Sequence, residues 1–194
     1  MRRASAGLAV AGTLAAMAMP VRATHSSQTD PRDTPGRLDL REVDFEHAGR
    51  PTWRFVTFGQ WTPSAMWDAG YLVVELDTRG DEAVDRLLVV RSDGRGLVGT
   101  LFGVRRDCGQ QPLGSVRVGK DGPRRASVRV GLARLGIGSN RTAYLWSAVS
   151  SFTGAGCART CLDRAPDQGM VEQPLPGVSP FPSPTVTPSP SPTP

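Results

Sequence analysis

Apolar and polar residues alternate in short runs along most of this chain, and no stretch beyond the N-terminal leader sustains a helical period of any length. The strongest run is Gly70 to Arg91, GYLVVELDTRGDEAVDRLLVVR, in which Tyr71–Leu76 and Leu87–Val90 have high β-propensity and flank an acidic turn. Leu72, Val74 and Leu76 share one face, while Tyr71, Val73 and Glu75 share the other, because side chains alternate across a strand. Apolar surface on both faces predicts a central strand of a β-sandwich.

Further strands are predicted on each side of this hairpin. Leu38 to His47 alternates with a change of phase between Leu40 and Val43, the mark of a bulge, and Thr52 to Phe58 follows after the turn Ala48-Gly49-Arg50-Pro51. Leu97 to Val104, Ser115 to Gly119, Ala126 to Leu132 and Ala143 to Phe152 complete the set, with turn signals at Ser92–Gly96 and Lys120–Pro123. The segment 59–70 carries Trp61, Pro63 and Trp67, and Thr62-Pro63 is suited to cap one helical turn. The fold class read from this pattern is all-β, a single antiparallel β-sandwich of about eight strands over residues 37–172. If each strand reverses direction, the Trp61/Trp67 loop, the Ser92–Gly96 turn, the Asp121 turn and the loop after Phe152 share one end. The acidic turn 77–85, the Cys108 loop and the 133–142 loop share the other.

The flanks differ in composition. Arg2 and Arg3 precede the uncharged run Ala6–Met19, and Val21-Arg22-Ala23 offers small residues at the −3 and −1 positions of a cleavage site. Residues 1–23 therefore read as a secretory signal peptide, since the run is shorter than the roughly 20 residues a membrane span needs. Residues 24–36 read as an unstructured leader. Residues 173–194 are dominated by Pro, Ser and Thr and read as a disordered tail of polyproline II character, a spacer across a cell envelope being the sharper alternative. The protein is thus expected to be secreted or attached to a bacterial cell surface, with no membrane span in the mature chain.

Charge changes the picture little. The formal +5 falls by the 3 arginines of the leader to +2, and no basic block argues for nucleic acid. Arg outnumbers Lys by 22 to 1, as a GC-rich genome would produce.

Candidate chemistry is sparse. Of Cys108, Cys157 and Cys161, two should pair in an exported protein. A bridge from Cys108 would close a loop of about 50 residues, worth roughly 4 kcal/mol against about 2 for Cys157–Cys161. Cys108 falls at the opposite end, however, so Cys157–Cys161 is the expected disulfide. The turn Asp77–Glu82 resembles half of a calcium loop, with Asp77, Asp81 and Asp85 as candidate metal ligands, although Arg79 sits where a third acid is needed. No other cofactor is expected. Trp53 and Trp146 lie within apolar strands and read as core. Trp61 and Trp67 read either as a platform for a sugar ring or as a plug for the sandwich end. Tyr71 follows them, and Asp163 and Asp167 would share that rim as acceptors for hydroxyl groups. His47 is the lone histidine of the domain, no nucleophile elbow is present, and the chain is expected not to be an enzyme.

The segments LDLREVDF, WRFVTFGQW, YLVVELDTRGD, SVRVGLARLG and YLWSAVSSF resemble secreted bacterial domains related to carbohydrate-binding module family 9 and to DOMON-like domains. The resemblance spans roughly residues 38–170, with Asp77–Asp81 and Leu135-Gly136 matching an acidic turn and a Leu-Gly pair, and CLDRAPDQG (161–169) matching a recurrent ending. It implies ligand binding without catalysis, to a sugar or to haem. No Met/His pair is placed to ligate haem. The expectation is an exported, non-catalytic binding module for a glycan or cell-wall component, the alternative being a structural or protein-interaction domain of the envelope.

Overall fold

The computed structural model of the chain describes residues 24–175. The predicted signal peptide, 1–23, and all but the first residues of the Pro-rich tail lie outside the described residues.

The strands are β1 (Thr24–Thr29), β2 (Leu40–His47), β3 (Pro51–Thr57), β4 (Gly70–Asp77), β5 (Arg86–Ser92), β6 (Leu97–Val104), β7 (Gln110–Lys120), β8 (Arg125–Arg129), β9 (Ala143–Gly154), β10 (Cys157–Ala165) and β11 (Val171–Pro174). They form one 11-stranded sheet in the order β1-β2-β3-β8-β7-β6-β5-β4-β9-β10, with β11 also on β9. Every pairing is antiparallel. The all-β class stands, and the sandwich of about eight strands is corrected to a single sheet curled almost into a barrel. Its ends approach each other: the Leu40 N–H of β2 donates to Asp163 of β10 (2.5 Å), and Ser26 Oγ of β1 donates to Gln173 Oε1 of β11 (3.0 Å).

The curl has a local cause in β7. Its first half pairs with β6 and its second half with β8, so this one strand turns the corner between the two halves of the sheet. Leu101 faces Gly114 and Phe102 faces Pro112, which leaves Leu113 as the extra residue of a bulge. Gly114 adopts a φ of 117°, open to glycine and costly for other residues. The segment before Ser115 reads as loop in the sequence because its side chains are exposed on both faces.

Two boundaries also move. Part of the leader 24–36 is β1, paired from Thr24↔His47 to Thr29↔Glu42. THSSQT contains no apolar residue, so the strand rests on backbone pairing that hydrophobic alternation cannot reveal. At the other end, β11 carries the folded part past residue 172.

Inward-facing residues of all the long strands meet in one core. Phe45, Phe55, Leu72, Leu88 and Leu101 are fully buried there, with Trp53 and Trp146 among them as expected. Phe45 packs on Trp53 at 5.0 Å between ring centroids and on Tyr144 and Trp146 across the interior, each at 6.3 Å. Such side chains each contribute about 1.5–3 kcal/mol by burial. The helical turn α1 (Pro63–Met66) forms as predicted, with Pro63 first and Thr62 Oγ1 accepting from the Ala65 N–H (3.2 Å). Loop ends group as the strand reversals require: Trp61 N donates to Pro123 O and Thr153 N to Ala69 O at one end, and Val104 N donates to Asp85 O at the other. Among the described residues no helix is long and apolar enough to cross a membrane.

Candidate functional site

The five residues expected to line one rim separate. Trp61 is only 3% exposed. Its Nε1–H donates to Thr57 Oγ1 (3.1 Å), and the Lys120 ammonium lies 4.0 Å from its ring centroid. It is the plug of the end, not a platform. Trp67, six residues on, is 56% exposed and Tyr71 is 43% exposed. The indole of Trp67 lies against Gly94, where a Cβ would come within 3.3 Å of Cδ2, so the ring rests on the β5–β6 turn. Asp163 is buried and Asp167 exposed.

The acidic turn 77–85 is a self-contained hydrogen-bonded unit. Asp77 Oδ1 accepts from the N–H groups of Arg79 (3.0 Å) and Gly80 (2.5 Å), and Oδ2 from that of Glu82 (2.9 Å). Asp85 accepts from the Thr78 N–H (3.2 Å) and hydroxyl (2.8 Å). Arg79 Nε stands 3.1 Å and Arg86 Nη1 3.6 Å from its carboxylate, and Asp81 meets Arg79 at 3.5 Å. The carboxylates of Asp77, Asp81 and Asp85 are thus engaged by backbone N–H groups, a hydroxyl and two guanidinium groups of the protein itself.

Acids converge elsewhere. Asp30, Asp33, Asp39 and Asp163 each bring one carboxylate oxygen within 4.8 Å of the others. The first three come from the segment between β1 and β2, the fourth from β10. Asp163 Oδ2 holds the Leu40 N–H and Oδ1 its neighbour Arg164 N–H (2.8 Å). Burial is the main cause that pushes the Asp30 carboxyl up to about 7, with Asp163, Asp167 and Asp33 adding repulsion. Burial likewise raises Asp39 and Asp163. The register places Asp163 opposite Ser150, which pairs with Leu72, so the cluster lies two strands, about 10 Å, from Tyr71 but on the inner side of the sheet.

A third feature is cationic. A groove of about 470 Å³ on the outer face of the β2–β3–β8–β7 half is lined by Arg50, Arg54, Arg117 and Arg129 with Glu46 and Thr52. It continues past Arg134, whose guanidinium donates to Ser115 O (2.7 Å). Arg117 and Arg129 stand directly opposite each other on β7 and β8, and Arg129 in turn faces Thr52 on β3. Arg54 is paired with Glu46 at 2.6 Å. Among the described residues, no carboxylate comes within 4.0 Å of Arg50, Arg117 or Arg129. Strand parity carries the signal for this face, since Arg54, Arg117 and Arg129 occupy polar phases of their strands, but the sequence alone does not align the strands.

Cys157 and Cys161 are bonded to each other, with Cα atoms 5.7 Å apart, and Cys108 is free and exposed. His47 is buried, its Nδ1 has no hydrogen-bond partner among the described residues, and desolvation lowers its pKa. The imidazole lies 6.4 Å from the Phe45 ring, and among the described residues no hydroxyl or carboxylate is hydrogen-bonded to its Nδ1. Compared with family models, curated proteins and solved structures, the chain matches none.

Proposed function

We propose that the protein is an exported, non-catalytic binding module for an acidic glycan or polymer of the cell envelope, held in the arginine groove. The observation that carries this reading is the Arg117/Arg129 pair. Like charges directly opposite on neighbouring strands destabilise a sheet. Here they face each other and, among the described residues, no carboxylate comes within 4.0 Å of either one. A carboxylate- or phosphate-bearing ligand turns that repulsion into charge-assisted hydrogen bonds, and guanidinium forks suit such groups. Export is supported by the charged, apolar and small-residue regions of 1–23, and a sugar ligand by the resemblance to carbohydrate-binding module family 9.

The test is retention of the full chain on an immobilised polyuronate, with a neutral glucan as control. Retention at low salt, weakening as salt rises and lost at least tenfold in Arg117→Ser/Arg129→Ser, is the expected result. Equal retention of parent and variant contradicts the groove reading. A second reading is favoured by the exposure of Trp67 and Tyr71: a neutral sugar ring stacking on the indole held over Gly94. Retention on the neutral glucan, abolished by Trp67→Ala/Tyr71→Ala, selects it.

A further inference from the structure

The carboxylates of Asp30, Asp33, Asp39 and Asp163 form a nest of negative charge that the protein leaves largely unbalanced. Asp30, Asp39 and Asp163 are 5%, 3% and 5% exposed. The Arg32 guanidinium, 4.0 Å from Asp39, is 79% exposed. Counting four carboxylates and that one arginine, the formal charge is −4 + 1 = −3. Taking carboxylates out of water costs several kcal/mol each unless something compensates. Asp30 Oδ2 and Asp39 Oδ1 are buried acceptors with no donor among the described residues. Four converging acids alone are a common surface feature. Two orphaned oxygens, on side chains more than nine-tenths buried within that nest, call for a proton or a metal ion.

We propose that these four aspartates bind a calcium ion. All the ligands are oxygens, which selects a hard cation over zinc, copper or iron. The four oxygens lie within 4.8 Å of one another, close enough to surround one ion at Ca–O distances of about 2.4 Å. Exposed Asp33 leaves one side open for the waters that complete the shell. Three ligands come from one connecting segment and the fourth from the far edge of the sheet. The ion would therefore clamp β2 to β10 beside the Leu40–Asp163 hydrogen bond, where the curled sheet comes nearest to closing. The proton that burial favours on Asp30 is the competitor this ion displaces. Affinity in the range of extracellular modules, about 10⁻⁴–10⁻³ M, suits a protein outside the cell.

The test titrates the full chain with CaCl₂ by calorimetry at pH 7.5 and compares melting in CaCl₂ and in EDTA. Binding of one ion and a melting temperature raised by several degrees at 5 mM CaCl₂ are expected. Asp33→Asn, at an exposed position, keeps the EDTA melting temperature and lowers calcium affinity at least tenfold. Asp30→Asn raises the EDTA melting temperature by relieving repulsion and loses the calcium response. No heat and no melting shift in the parent, an Asp33→Asn protein that responds like the parent, or an equal response to MgCl₂ overturns the assignment. Retention on polyuronate is read separately, so failure of either proposal leaves the other standing.

Discussion

Asp77→Asn separates the two acidic regions. Asp77 is fully buried and its two oxygens hold three backbone N–H groups of the β4–β5 turn. Asparagine keeps the shape and one acceptor. Its amide nitrogen then points at the Glu82 N–H, which loses a charge-assisted hydrogen bond worth about 1.5–3 kcal/mol and becomes an orphan donor. The two bonds retained at Oδ1 weaken by roughly half once the acceptor is neutral. The sum is about 3 kcal/mol, a fall in melting temperature of roughly 6–12 °C for a domain of this size. Thermal unfolding followed by circular dichroism, in 5 mM CaCl₂ and again in EDTA, measures it. The same loss in both buffers is predicted, because the turn is closed by its own N–H groups. A loss below about 1 kcal/mol, or one seen only with calcium, refutes the reasoning.

Trp61→Phe removes the hydrogen bond to Thr57 and weakens the contact with Lys120, so stability should fall by about 2 kcal/mol. Retention on any glycan should not change, and loss of retention with stability intact contradicts the burial of this indole. Without calcium, the raised Asp30 pKa means that the native state binds more protons than the unfolded one between pH 3.8 and about 7. That contribution therefore falls as pH rises through this window, by at most about 4 kcal/mol before solvent screening on the Asp33 side reduces it. His47, with a lowered pKa, works in the opposite direction near its ordinary value. The measurement is thus the difference in melting temperature between parent and Asp30→Asn in EDTA at pH 5 and pH 8. The variant should gain more at pH 8, and an equal gain at both contradicts the prediction.

The alternation of Leu72, Val74 and Leu76, and its counterparts in β2, β3, β5, β6, β8 and β9, made most of the sheet legible, because one face of each strand enters the core. β1 was illegible because THSSQT buries no apolar stripe. The corner in β7 was illegible because its cause is a bulge at Leu113, left over where Leu101 pairs with Gly114 and Phe102 with Pro112, a property of two strands together. Trp61 and Trp67 look alike in sequence. What separates them is distant in the chain: the Pro123 carbonyl and Lys120 draw one inward, and Gly94 supports the other at the surface. The disulfide was readable from Cys157-Ala-Arg-Thr-Cys161 because both ends of a short segment can meet locally. The aspartate nest was not, since Asp163 joins the 30–39 segment only through the approach of β10 to β2.

Amide chemical-shift mapping of the isotope-labelled chain during titration with a short uronate oligomer tests the proposed recognition most directly. The account predicts shifts centred on Thr52, Arg54, Arg117 and Arg129, which diminish as salt is added. Shifts centred instead on Trp67 and Tyr71, or none at millimolar oligomer, contradict it.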